Sequence, residues 1–295
     1  MPFTLAGAAA QVLRNGTQAS LTGKIGTLGA TQVRFVFGLP FAALLLASAV
    51  WQDDASLPAM SSAAWRWTIL GAVVQIAATA LMLLVMHRRA FGVAYAYIKT
   101  EPVLVAVLGV VVLADHLPAL GWAAIAIVTV GVVVASVAPG EFRKLVSEGR
   151  MIAAGVAAGG LFGLSSIGFR AAIEALESGG FILRSLTILV ASLTIQSALL
   201  GGWLLARDRQ AFVASLREWR SSLAAGFLGA LASACWFIAF SLTPAANVRT
   251  LGVVEMPLAA LLSRRLTGRA MPRHEIVGLL TVMAGVVLLF VSATT

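Results

Sequence analysis

The sequence predicts an all-α membrane protein, with ten transmembrane helices arranged as two inverted five-helix repeats around a central cavity. Three observations carry that expectation. Of the 295 residues, 60% are hydrophobic and only 11% charged, with a mean hydropathy of +0.95; a soluble domain carries about 25% charged residues. Apolar runs of membrane length recur along the whole chain. The second half also repeats the first at a fixed offset.

A membrane helix needs about 20 mostly apolar residues. Such runs fall at roughly 3–23, 33–51, 67–87, 92–114, 119–138, 151–173, 181–206, 221–242, 246–267 and 274–292. The first is interrupted by Gln11, Arg14, Asn15 and Gln18. Lipid leaves backbone groups nothing to bond to, so spans are helices or a closed barrel. Continuous apolar runs favour helices, because barrel strands alternate. The longest connections, 139–150 and 207–220, are too short for a soluble domain. The N-terminus, MPFTLAGAAAQVLRNG, lacks a charged start and cleavage site, and reads as the first helix, not a signal peptide.

Sliding the chain by 154 residues lays Glu101 on Glu255, Pro118 on Pro272 and Gly131 on Gly285. PVLVAVLGVVVLADHLPALGW then meets MPLAALLSRRLTGRAMPRHEI, and with a small slip Arg34 meets Arg184. Two five-span halves follow, 1–138 and 151–295, joined by 139–150. An odd number of spans per half makes the second run inverted, a transporter signature with the substrate site at the repeat interface.

Loop charges agree. The odd-numbered connections hold Lys24 and Arg34; Arg88 and Arg89; Arg143, Lys144 and Arg150; Arg207, Arg209, Arg217 and Arg220; and Arg264, Arg265, Arg269 and Arg273. The even ones hold Asp53, Asp54 and Arg66, then Asp115, then Glu174 and Glu177. The positive-inside rule makes the odd connections cytoplasmic and puts both termini outside. The net charge of +9 lies in these short connections, which argues against nucleic acid.

Only Glu101 and Glu255, among the acidic residues, sit well inside spans, and the repeat superimposes them. Ionisable residues there are costly and functional by default. Lys99 is the only lysine within a span, and Tyr95 lies four residues before it on the same helix face. Together they suit a carboxylate and an apolar or aromatic side chain of one substrate. Lys99 could instead neutralise Glu101 or snorkel to a boundary. The two glutamates read equally as gating groups or as helix-to-helix bonds. Pro102 and Pro257 follow them, and each bends its helix, for rocking or for packing.

Gln11, Asn15 and Gln18 recur at i, i+4 and i+7, with Arg14 beside them, a polar stripe that must face protein or water. Gln75 and Thr79 form a weaker stripe, and Ser233 is the repeat partner of Thr79. Trp236 is the one tryptophan near the middle of a span, suited to stacking on a substrate ring or to packing; the others sit nearer span ends, as aromatic belts do. Gly155, Gly159 and Gly163, at four-residue spacing, let another helix approach closely.

One cysteine, Cys235, excludes an internal disulfide, and no Cys/His spacing for a metal exists. Walker A, HExxH and GxSxG sequences are missing, so neither an ATP motor nor a hydrolase centre is visible. No cofactor or metal is expected.

RNGTQASLTGKIGTLGATQVRFVFGLPFA, the KTEPV segment, and LADHLPALGWAAIAIVTVGVVVAS with its looser copy after Glu255 resemble the drug/metabolite transporter superfamily. Within it the chain is similar to ten-helix, EamA-type bacterial exporters, including YddG-type exporters of aromatic and other amino acids. The usual Gly-Glu-Arg-Leu-like corner is here ADHLP (114–118) and TGRAMP (267–272). The resemblance implies an inner-membrane secondary transporter working by alternating access that exports amino acids; a monomer in the bilayer is a separate expectation that the resemblance does not fix. It also implies cytoplasmic termini, opposite to the charges. Lys99, Tyr95, Gln11, Asn15, Gln18, Gln75 and Trp236 are then expected to bind substrate, with Glu101, Glu255, Pro102 and Pro257 gating or bonding helices. The alternatives are a proton-coupled multidrug exporter and an uncoupled facilitator or channel.

Overall fold

The computed structural model describes residues 2–54, 56–88, 98, 101–137, 140, 149–258 and 272–292. The described residues are helical apart from short connections. The helices are α1 (Pro2–Val36), α2 (Leu39–Asp53), α3 (Ser62–Arg88), α4 (Glu101–Leu113), α5 (Ala119–Ser136), α6 (Gly149–Glu174), α7 (Phe181–Arg207), α8 (Arg209–Arg217), α9 (Trp219–Leu242), α10 (Ala245–Gly252) and α11 (Arg273–Ser292). Five stretches are long and apolar enough to cross a membrane: Leu21–Gln52, Ser62–Val85, Gly149–Glu174, Phe181–Arg207 and Trp219–Leu242. The expected fourth and ninth spans, 92–114 and 246–267, lie partly outside the described residues.

No loop separates the first two expected spans. α1 holds one non-helical residue, Gly26, at φ 73 and ψ 170, a conformation essentially restricted to glycine. Gln18 Nε2 donates to Ala30 O at 2.8 Å. On a straight helix those residues would stand about 18 Å apart. The chain therefore turns back at Gly26, giving α1 two limbs. Residues 27–36 are helix where part of a connection is expected, and Arg34 in the second limb is buried. Arg34 is thus not a charge of the first connection; only Lys24 remains there.

The connection expected at 207–220 contains α8. Asp208 caps it, its side chain accepting from the Ala211 amide at 3.0 Å, as N-cap aspartates do. A break follows α10. Val253 and Val254 form a turn, and helix resumes over 255–258. Pro257 has no amide to offer the Val253 carbonyl four residues back; that carbonyl accepts from Met256 instead, at 2.9 Å. Pro102, in contrast, lies in the first turn of described α4, where an amide is not needed.

Three pairings dominate the packing: α3 with α6, α1 with α9, and α5 with α11. Exchanging the two halves of the chain turns the first pairing into the second and the third into itself. Small residues make these approaches, as in membrane bundles. A Cβ on Gly168 would lie 3.3 Å from the Gly71 backbone, and one on Gly285 2.9 Å from the Val128 amide. Gly159 and Gly163 of α6 face the start of α4, where a Cβ would meet Ile98 O at 2.6 Å and Val105 at 3.0 Å.

The connections segregate to two ends. At one, Lys24 Nζ lies 3.4 Å from Glu218 Oε2. At the other, Ser61 Oγ donates to Ala175 O at 3.1 Å, and Arg170 bridges Asp115 at 2.5 Å and Glu174 at 2.8 Å.

Candidate functional site

Midway between those ends lies a polar cavity inside an apolar bundle. It is lined from both halves: Gln11, Arg14, Asn15 and Arg34 of α1, Gln75 and Met82 of α3, then Ile98 and Glu101. The second half adds Phe162 of α6, Ser233, Trp236, Phe237 and Phe240 of α9, Arg249 of α10, and Glu255 after the break. The α9 residues fall at i, i+3, i+4 and i+7, so one helix face makes most of an aromatic wall. The free space is about 570 Å³, of which about 40 Å³ admits the centre of a water molecule. That is room for a few waters; a larger occupant needs the walls to part.

A chain of contacts crosses the cavity. Trp236 Nε1 donates to Gln11 Oε1 at 3.0 Å, and Gln11 Nε2 donates to Glu255 Oε2 at 2.5 Å. The Trp236 ring stands on Gly252, where any Cβ would enter the ring. The Arg249 guanidinium lies 5.0 Å from the Trp236 ring centroid and 5.4 Å from that of Phe240, within cation–π range. Arg249 Nε donates to Ser166 Oγ at 2.8 Å and lies 3.0 Å from Glu101 Oε1. The Glu101 contact is an ion pair without an aligned N–H, since no hydrogen bond reaches that oxygen.

The first-limb stripe of α1 does two different things. Gln11 and Asn15 face the cavity, and Asn15 Oδ1 accepts from Arg14 Nη2 at 2.8 Å. Gln18 faces the second limb, where it bonds Ala30, and is not part of the lining. Gln75 lines the cavity and accepts from Gln196 Nε2 of α7 at 2.8 Å. Thr79 and Ser233 both sit beside it: Thr79 Oγ1 accepts from Arg34 Nη1 at 3.4 Å, and Ser233 is in the lining. Glu101, Glu255 and Trp236 are all at the cavity, as their repeat and mid-span positions suggest. Pro102 and Pro257 flank it in sequence. Lys99 and Tyr95 lie outside the described residues.

Of the arginines, sequence reasoning placed only Arg14 with the polar stripe and overlooked Arg34 and Arg249 as cavity residues. All three reach one cavity. Arg249 carried a signal, a cation inside an expected apolar span, six residues before Glu255. Arg34 looked like a loop charge because nothing local announces that Gly26 alone makes the turn. Its repeat partner Arg184 does something else: Nη1 donates to Leu176 O, 3.4 Å away, beyond the end of α6.

The model of the EamA-like transporter family matches residues 16–137 and again 149–291. A solved crystal structure superposes on this one with a TM-score of 0.72, covering 98% of each chain at 16% identity, a likeness of fold alone. No curated protein matches the chain.

Proposed function

Since the chain belongs to the EamA-like transporter family, a family that moves small molecules across membranes, we propose that it exports small metabolites, amino acids first among them, by alternating access. One observation carries this reading. Charged side chains that are costly inside a membrane converge from both halves on a single cavity. The two family matches and the exchange-symmetric helix pairings support two inverted repeats, 1–138 and 151–295, joined by 139–150.

In this reading the cavity presents cations to a substrate carboxylate, carboxylates and amides to its ammonium, and an aromatic wall to its side chain. Lys99 is the sequence's own candidate for the carboxylate, with Tyr95 beside it. Glu101 and Glu255 gate or tie helices on either side of the interface, next to Pro102 and Pro257. The protein sits in a bacterial inner membrane, as a monomer with its basic connections cytoplasmic and its termini outside.

A proton-coupled exporter of cationic drugs is disfavoured, because the described lining sets three guanidiniums against two carboxylates and so repels a cation. Counterflow of radiolabelled amino acids in proteoliposomes tests the proposal. Accelerated exchange of aromatic or large neutral amino acids supports a carrier. Flux without counterflow indicates a facilitator, and no flux of any amino acid removes that substrate class.

A further inference from the structure

We propose that Arg34, with Arg14 beside it, is an anion-binding subsite that holds the carboxylate of the transported molecule, an inference that rests on the transport reading above. It assigns to Arg34 the role for which the sequence alone offers Lys99.

Arg34 is 6% exposed, lies in the middle of the bundle and lines the cavity. A buried guanidinium in a native protein is normally paired with a carboxylate. Among the described residues no carboxylate pairs with Arg34. Its polar contact is the long one to Thr79 Oγ1, its guanidinium carbon lies 5.6 Å from the neighbouring Phe35 ring centroid, and its Nε has no hydrogen-bond partner.

The surroundings do not relieve this charge. Arg14 and Arg249 act on Arg34 as like charges. Arg14 Cδ and Arg34 Cγ both lie 3.5 Å from the point a Cβ on Gly229 would occupy, so the two stems run side by side over that glycine. Arg249 is engaged by Glu101 and Ser166, and Glu255 by Gln11. The described lining therefore holds three guanidiniums and two carboxylates, one positive charge in excess, and Arg34 is the cation without a counter-ion. A carboxylate entering the cavity supplies it. The planar fork of an arginine takes a carboxylate through two parallel bonds, and Phe162, Phe237 and Phe240 line the same cavity for an apolar remainder. A small aromatic or branched carboxylate fits this arrangement; an amine lacking the carboxylate does not.

The test is a thermal-shift titration of the detergent-purified full chain with 3-phenylpropionate and its uncharged amide, on wild type, Arg34→Gln, Arg34→Lys and Lys99→Ala. The acid is expected to stabilise wild type and Lys99→Ala, and the amide neither. Arg34→Gln is expected to weaken the response at least tenfold. Without ligand, Arg34→Gln should melt at or above wild type, because it removes an unpaired buried charge; a residue with a merely structural role would lower it. Should Arg34→Gln fail to fold, Arg34→Lys decides: at least tenfold weakening supports the fork, and an undiminished response overturns it. The proposal is also overturned if the amide works as well as the acid, if wild type does not respond, or if Lys99→Ala alone abolishes the response. Amino acid counterflow is measured separately. Transport without acid-specific binding removes only this subsite, and binding without transport removes only the carrier reading.

Discussion

Arg249, on a short helix of the second half, pairs with Glu101, at the start of a helix of the first, with 3.0 Å between Nε and Oε1. Both side chains are nearly buried, at 10% and 5% exposure. The contact ties the two halves together at the cavity. Breaking a buried pair strands a charge, whereas replacing both partners does not. Arg249→Met is therefore expected to destabilise the protein by about 3 kcal/mol. The double variant with Glu101→Gln should recover much of that loss. Thermal unfolding of the four members of the cycle measures it, and additive effects would show that the pair is not coupled.

Gly26 provides a backbone test. Its φ and ψ lie where side chains are strained by about 1–3 kcal/mol, although nothing stands within 4 Å of its would-be Cβ. Gly26→Ala should destabilise by that amount through conformation alone. Gly23→Ala, three residues earlier and also in open space, should be neutral or stabilising by about 0.5–1 kcal/mol. Equal effects at the two sites would exclude the turn as the cause.

The Trp236 ring rests on Gly252, and its indole N–H reaches Gln11. A methyl group at 252 forces the ring away and breaks that bond. Gly252→Ala should cost about 1–3 kcal/mol from overpacking and depress transport by at least tenfold. Gln11→Ala leaves the ring in place and should depress transport with a smaller loss of stability. Unfolding and initial flux rates on the same preparations separate the two, and wild-type flux from Gly252→Ala would detach Trp236 from function.

The two ends of the bundle should respond unequally to charge removal. Arg170 is 13% exposed and Asp115 5%, so Asp115→Ala leaves a mostly buried guanidinium held by Glu174 alone; about 1–3 kcal/mol should be lost. Lys24 and Glu218 are 60% and 38% exposed, and Lys24→Ala should change stability by less than about 0.5 kcal/mol. Raising salt should reduce the small Lys24 effect and leave the Asp115 effect.

Several features were legible in the sequence because they are local or periodic. Apolar run lengths located the long helices: α7 covers Phe181–Arg207 against an expected 181–206, and α9 covers Trp219–Leu242 against 221–242. The cost of burying charge marked Glu101 and Glu255, and both reach the cavity. The i, i+4 stripe placed Gln11 and Asn15 there as well. Only the tertiary structure decided the rest. The reversal at Gly26 depends on a backbone conformation that many glycines could adopt and few do, and it carried Arg34 from an expected connection into the core. Gln18 belongs to the same stripe as Gln11, yet two turns nearer the reversal it meets the returning limb instead of the cavity. Arg249 becomes a partner of Glu101 through packing between residues 148 positions apart in the chain. Periodicity acts over one or two helical turns, whereas the identity of a buried charge's neighbour is set where helices distant in sequence cross.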